Sequence, residues 1–343
     1  MTLRIDVLAT DGSPLGVTSQ TIWGDQYRVG LGGAELALLT LCEEWAKKGY
    51  QVRLYNDPKG PNDLFEQLPC SSFEIKGNRD ILVVFRSPNI KAISATGKHV
   101  WLSTDQSTIG DFRQFAPHME KIVVISDFHA EHFKNTYGIH NSTVIDIPIR
   151  VDDYANSDVE RIPNRILFSS VPARGLTNLW RMWPYIQSHF PGVDLVITSD
   201  YRLWGVAPSD GNFRGAWVSR NGYQYKGAMP RAEFIKEQLA ADILFYPSNY
   251  AELFCLSVAE SAVAGSYPIT SATGALPTTN MGLVIGANAD DTRNDRLFMD
   301  ALIELLSDRE TLEKERERVQ KAAIARFHPD VVLKQWDEKV FGI

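Results

Sequence analysis

The chain has few cysteines and no segment that reads as an address or an anchor. Cys42, Cys70 and Cys255 are scattered and odd in number. That argues against a disulfide or zinc framework and suits buried thiols in a reducing compartment. No apolar run approaches the ~20 residues that cross a bilayer. The opening residues, MTLRIDVLATDG, lack a basic region followed by a long apolar run. No signal peptide is read, and the expected location is cytoplasmic. Positive charge is not in excess either. Lys and Arg number 35 against 42 Asp and Glu, a net charge of −7. Such a balance exerts no overall pull on nucleic acid or anionic lipid.

What is present is the material of two folded domains. The chain has 343 residues, 44% of them apolar and 22% charged. That length is too great for one ordinary core. Short apolar runs alternate with helical periodicity. IDVLAT (5–10), QVRLYN (51–56), ILVVF (81–85), HVWLS (99–103), KIVVIS (121–126) and VIDIP (144–148) read as strands. Residues 36–49, 109–118 and 127–137 read as helices between them. The pattern restarts with RILFSS (165–170), a helix over 176–190, VDLVITS (193–199), a helix over 230–240, ILFYP (243–247), a helix from near 254 and YPITS (267–271). Charged helical stretches follow at 292–307 and 308–326, then a last helix at 329–341 behind Pro329. Continuous apolar strands alternating with helices imply parallel sheets covered on both faces. The expected fold class is therefore α/β, two Rossmann-like parallel-sheet domains facing a cleft. The expected boundaries are an N-terminal domain at 1–150, a linker at 151–164 and a C-terminal domain at 165–326. A C-terminal helix at 327–343 could pack back on the first domain. Ligands of such sheets sit beyond the carboxyl ends of the strands.

Four segments could carry chemistry. In GLGGAE (30–35), Gly32 and Gly33 precede a helix and could admit a phosphate, or simply cap a loop. The dinucleotide fingerprint fails there, because Glu35 stands at its third glycine. In SSVPARGLTNL (169–179), Arg174 could hold a diphosphate in a fork of hydrogen bonds, or stand solvated. In AELFCLSVAESAVAG (251–265), Glu252 lies at a helix start and Glu260 in its second turn. Each carboxylate could take the paired hydroxyls of a sugar ring, with the N–H groups of Phe254, Cys255 and Leu256 between them. Glu252 could instead only favour the helix dipole, and Glu260 could be a solvated residue. Its apolar neighbours argue for burial, and a buried carboxylate needs a partner. In SATGALP (271–277), Gly274 allows a close backbone approach or an ordinary turn. His129 and His132 could share a helix face, but no third ligand is apparent, and a structural role is expected.

The segment YPSNYAELFCLSVAESAVAGSYPITSATGAL (246–276) resembles the donor-binding region of retaining GT-B glycosyltransferases, family 4, with its two glutamates separated by seven residues. Segment 169–197 resembles that family's phosphate loop, helix and strand. Residues 32–55 resemble its N-terminal glycine loop, and 121–133 the close of its first half. The resemblance implies transfer of a sugar from a nucleotide diphosphate donor, UDP- or GDP-linked, with retention of configuration. It places the ribose on Glu260, the donor sugar on Glu252 with the N–H groups of Phe254 and Cys255, and the diphosphate on Arg174 and Gly33. It places the base near Tyr225 and Lys226 in QYKGAMP (224–230). Three departures stand out. Ser169 replaces a usual Arg, Cys255 replaces a usual Gly, and WLSTDQS (101–107) lacks the usual His, leaving Asp105 as a catalytic candidate. No two aspartates stand two apart, so the D-x-D of the other large glycosyltransferase fold is missing and no obligatory metal or cofactor is expected. The acceptor is expected to be a hydroxyl of a glycan or glycolipid precursor rather than of a nucleic-acid base. A non-catalytic nucleotide-sugar binder is the other reading. The first domain is expected to be the acceptor side and the second to bind the nucleotide-sugar. The first domain's loop 11–31, with Trp23, Tyr27 and Arg28, could fold over the cleft or simply be pinned by a buried Trp, and Trp204 raises the same question near the donor.

Overall fold

The computed structural model describes residues 2–26, 28–106, 112–155, 157–198, 200–204 and 222–343. Tyr27, the start of the expected helix at 109–118 and the side chain of Trp204 lie outside the described residues. The chain forms two compact units. The first comprises Met1–Ile22, Gly32–Pro148 and Pro329–Ile343, and the second comprises Trp23–Leu31 and Ile149–His328. Segment 23–31 therefore sits with the second unit and not with the residues that flank it. Its Gly24 and Gly30 lie against Pro230 and the Met229 carbonyl.

In chain order the first part of the molecule carries β1 (Arg4–Leu8), α1 (Ser19–Ile22), α2 (Gly33–Lys47), β2 (Gln51–Tyr55), β3 (Glu66–Leu68), β4 (Ile81–Phe85), α3 (Ile90–Ile93), β5 (Lys98–Leu102), α4 (Phe112–Phe115), β6 (Lys121–Val124), α5 (Asp127–Tyr137) and β7 (Ser142–Val144). The strands form one sheet in the order β3-β2-β1-β4-β5-β6-β7, and every pairing is parallel. Strand β4, ILVVF, is buried along its whole length, as a strand covered on both faces must be. The expected strand at 144–148 falls instead on Ser142–Val144, where the partner residues Ile122–Val124 set the register. Only a short α4 and a 3-10 turn at Ala116–His118 occupy the described part of 109–118. Pro117 has no N–H to give an α-helical ladder. Trp101 anchors one face of the core, with Phe112, Phe115 and Phe133 at ring distances of 4.8, 5.7 and 5.3 Å.

His129 on α5 belongs to this core. Its ring meets Phe133 edge-on at 4.7 Å, Nδ1 accepts from the Ile125 N–H at 3.4 Å, and Nε2 lies 3.5 Å from Ser103 Oγ. Burial, aided by His132, pulls the imidazole down to about 3 from 6.5. The unfolded chain takes up this proton near pH 6.5 and the folded chain does not. The group's contribution to stability is therefore whole above pH 6.5 and drains away as pH falls toward 3, at up to about 1.4 kcal/mol per pH unit. Between pH 7.5 and 5, denaturant titration should show the wild type losing about 1–2 kcal/mol more than His129→Gln.

The second part carries β8 (Arg165–Phe168), α6 (Leu176–His189), β9 (Asp194–Ile197), β10 (Tyr223–Tyr225), α7 (Arg231–Ala240), β11 (Ile243–Tyr246), α8 (Leu256–Val263), β12 (Tyr267–Ser271), α9 (Leu276–Thr279), β13 (Leu283–Ile285), α10 (Asp295–Ser307) and α11 (Arg309–Phe327). Its sheet is again all parallel, in the order β10-β9-β8-β11-β12-β13. Helix α10 begins at Asp295 rather than 292, because Asp291 caps a 3-10 turn over Thr292–Asn294 by accepting from the Arg293 N–H. The expected linker contains a 3-10 turn, Val151–Tyr154, whose Tyr154 hydroxyl donates to Gln238 on α7 at 2.7 Å. The last helix, α12 (Pro329–Gln335), continues as a π-turn over Trp336–Phe341. It packs in the first unit, with the Trp336 ring edge-on to Trp45 of α2 at 5.1 Å and Lys98 Nζ donating to the Val340 carbonyl at 2.6 Å. Among the described residues no helix is long and apolar enough to cross a membrane.

In each sheet the winding reverses once, between β1 and β4 in the first and between β8 and β11 in the second. The loops that leave such a strand pair at its carboxyl end diverge and open a crevice. That rule directs attention to residues 169–175 and 247–255.

Candidate functional site

The loop after β8 ends in a 3-10 turn, Pro172–Arg174, and then Gly175 at φ +117°. A Cβ at Gly175 would stand 2.7 Å from the Pro247 carbonyl oxygen. The two loops of the crevice therefore touch there, and only glycine fits. This contact holds Arg174 facing the loop after β11. Its guanidinium donates to Glu252 Oε1 and Oε2 at 3.2 and 3.3 Å and stacks on the Tyr250 ring at 3.9 Å. Tyr246, the last residue of β11, donates its hydroxyl to Glu252 Oε1 at 2.7 Å. Glu252 is thus buried but doubly held. Burial pulls the Arg174 pKa down, yet Glu252 and the tyrosines outweigh it and raise it overall. Burial first, and Glu252 second, push the Tyr246 phenol well above its ordinary value, so it remains a donor.

Gly274 closes the site from behind. A Cβ there would lie 2.5 Å from the Glu252 backbone N and O, and the Ala275 N–H donates to the Glu252 carbonyl at 2.7 Å. Helix α8 starts two residues later than 254, because Cys255 adopts a left-handed conformation at φ +73°. A side chain there is strained, which is the physical reason a glycine would suit that position. Burial and Glu252 push the Cys255 thiol well up; it stays protonated and is no nucleophile. No side chain caps α8. Among the described residues the N–H groups of Phe254, Cys255 and Leu256 donate to no protein acceptor. The α8 N-terminus therefore presents three free donors beside Glu252, an arrangement suited to anionic or hydroxyl oxygens. The Phe254 side chain itself is core, edge-on to Phe327 at 5.5 Å.

Glu260, in the second turn of α8, is buried and has a partner that the sequence did not reveal. Arg231 Nη1 donates to its Oε1 at 2.9 Å, with side chains only 5% and 4% exposed. Arg231 Nε donates in turn to Asp153 Oδ2 at 2.9 Å, which also accepts from Arg150 Nε at 3.0 Å. Tyr225 ends β10 with its hydroxyl 3.4 Å from Asp200 Oδ2. Burial and that carboxylate push its phenol up to about 12. The Lys226 side chain turns to Glu237 on α7, so what it offers the crevice is backbone. Ser169 gives its carbonyl to Ser257 Oγ at 2.9 Å. Gly32 and Gly33 lie at the start of α2 and Asp105 follows β5, all in the first unit. Structure therefore brings together Arg174, Glu252, Cys255 and Gly274, with Tyr246 and Tyr250 added. Glu260 forms a second, adjoining cluster with Arg231 and Asp153.

Residues 219–326 match the family described as "Glycosyl transferases group 1". Several solved structures cover nearly the whole chain. The Anabaena protein HepE in complex with UDP-glucose aligns with a TM-score of 0.70 at 15% identity, over 99% of this chain and 100% of that one. The chain has the GT-B fold. A glycosyltransferase from Rickettsia africae aligns with a TM-score of 0.69 at 16% identity, covering 98% and 97% of the two chains. Sucrose-phosphate synthase from Thermosynechococcus elongatus gives 0.66 at 13%, covering 99% of each. No curated protein matches the sequence. The matched region runs from just before β10 through α11, and so includes Arg231, Glu252, Glu260 and Gly274.

Proposed function

We propose that this chain transfers a sugar from a nucleoside diphosphate donor, UDP-linked in the first instance, to a hydroxyl acceptor with retention of configuration and without an obligatory metal. The observation that carries the reading is Glu252, held by Arg174 and Tyr246 beside the free N–H groups at the α8 N-terminus. Glu252, Tyr246 and α8 fall within the region that matches the glycosyltransferase family, and Arg174 precedes it; HepE, of the same fold, was solved with UDP-glucose.

In this reading the donor diphosphate meets the Arg174 guanidinium and the α8 N–H groups. Glu252 takes hydroxyls of the sugar, and Glu260 those of the ribose. The bond from the anomeric carbon to the diphosphate oxygen breaks, and the acceptor oxygen bonds to that carbon on the same face. The acceptor's proton passes to the departing phosphate. The chain's task is to stabilise the charge growing on that diphosphate, which preorganised donors do at no cost in reorganisation. The acceptor is a glycan or glycolipid precursor, because the net charge of −7 disfavours nucleic acid.

Thermal denaturation with a panel of UDP- and GDP-sugars tests this. A donor at a hundred times its Kd should stabilise by about 2.7 kcal/mol. No stabilisation by any donor, or by UDP or GDP alone, would sink the reading.

A further inference from the structure

A row of buried charges runs from the segment after Pro148 to Glu260, and two of its members, Asp153 and Arg231, have no part in the reading so far. Arg150 Nε donates to Asp153 Oδ2 at 3.0 Å, and Arg231 Nε donates to the same oxygen at 2.9 Å. Arg231 Nη1 donates to Glu260 Oε1 at 2.9 Å. Its third nitrogen, Nη2, is buried and has no acceptor among the described residues. The guanidinium therefore hangs between two carboxylates. Burial works against its charge, but Glu260, Tyr154 and Asp153 outweigh that and raise its pKa overall. It stays a cation.

Both carboxylates stand on fixed backbone. Asp153 sits on the 3-10 turn Val151–Tyr154, which the Tyr154 hydroxyl ties to Gln238 at 2.7 Å and the Ile149 N–H ties to the Phe327 carbonyl at 2.9 Å. Glu260 sits in α8 among the buried Val258, Ala259, Ala262 and Val263. Arg231 opens α7 directly after Pro230. The consequence falls on Glu260. Its Oε1 is taken by Arg231, while Oε2 receives no donor among the described residues. Oε2 is not sealed off, since 4% of the side chain is exposed. An Arg and a carboxylate left to themselves favour a fork onto both oxygens. Here Asp153 draws Nε aside, and the pair closes on one oxygen only.

We propose that Asp153 and Arg231 are positioning residues of the donor site: Asp153 divides the Arg231 guanidinium so that it occupies one oxygen of Glu260 and leaves the other to a ribose hydroxyl. A carboxylate oxygen placed in this way accepts an O–H and goes unpaired where that hydroxyl is missing. A site built to pair with a hydroxyl rejects the analogue that lacks it, so these three residues together separate a ribonucleoside diphosphate from its deoxy form. The assignment rests on the ribose placement in the reading proposed above.

Titration calorimetry with UDP and GDP, and with the 2′-deoxy and 3′-deoxy form of each, tests it. The wild type should bind one deoxy form about tenfold or more weakly than its parent. In Asp153→Ala the guanidinium can turn its fork onto both oxygens of Glu260. The parent nucleotide should then weaken about tenfold while that deoxy form changes little. Arg231→Lys keeps the charge but has no fork to divide, and should narrow the margin in the same direction. It decides alone if Asp153→Ala fails to fold. A margin that survives in the folded variant, or a parallel loss for parent and deoxy nucleotides, would mean that the network only supports the fold and would overturn the proposal. Equal wild-type binding of parent and deoxy forms would overturn it too, while leaving the transfer reading in place. Absence of any nucleotide binding by the wild type rejects the transfer reading itself, and the proposal with it.

Discussion

Arg174→Ala should lower kcat about 10²–10³-fold, the loss expected when one preorganised donor to a developing anion is removed. Arg174 forms an ion pair with Glu252, so under the proposed reading its loss removes both the diphosphate's partner and the fork that aims the carboxylate. Glu252→Gln separates the two. Glutamine can still accept from the Tyr246 hydroxyl, which lies 2.7 Å from Oε1, but it no longer neutralises Arg174. Turnover should fall, because the sugar loses its ionic partner. UDP should bind more tightly than to the wild type, because the guanidinium no longer has to be shared. Calorimetry with UDP, beside steady-state rates, reads this split, in which kcat drops while affinity for the leaving group rises. Parallel losses in both would mean that Glu252 only supports the fold.

Arg231→Met should cost about 3–5 kcal/mol, since it strands the buried Glu260 carboxylate, while Asp153 keeps Arg150. For a unit of this size that lowers the melting temperature on the order of 10 °C. The double variant Arg231→Met with Glu260→Met should recover part of the loss, because replacing a buried pair by apolar residues is far cheaper than breaking it. Differential scanning calorimetry of the two variants decides. A double variant less stable than the single one would show that Glu260 is held by something other than Arg231.

How much of this was legible follows from burial. Strands such as β4 and β11 are buried at every residue, so they read as unbroken apolar runs. The edge strands β3 and β13, each with one neighbour, expose part of their length; their three residues carry no period to detect. Glu252, Glu260 and Arg174 were legible because the spacing of chemistry-bearing residues around a strand–helix junction is unusual. Arg231 was not. In MPRAEFIKEQ it looks like any cation on a charged helix, and nothing local says that it is buried. The usable signal was indirect: an apolar helix around Glu260 required a cation from elsewhere in the second unit.

The packing of Trp336 and Phe341 against Trp45 bears on the order in which the protein is made. The second unit's main segment, Ile149–His328, is continuous, whereas the first unit needs residues from both sides of it. On a translating ribosome the first unit's sheet must wait for α12, which follows the second unit, a delay on the order of ten seconds at ordinary elongation rates. Until then an apolar face of α2 stands uncovered. The nascent chain therefore emerges with its earliest unit incomplete, and a ribosome that stalls inside the second unit leaves behind a first unit that chaperones must shield or proteases remove.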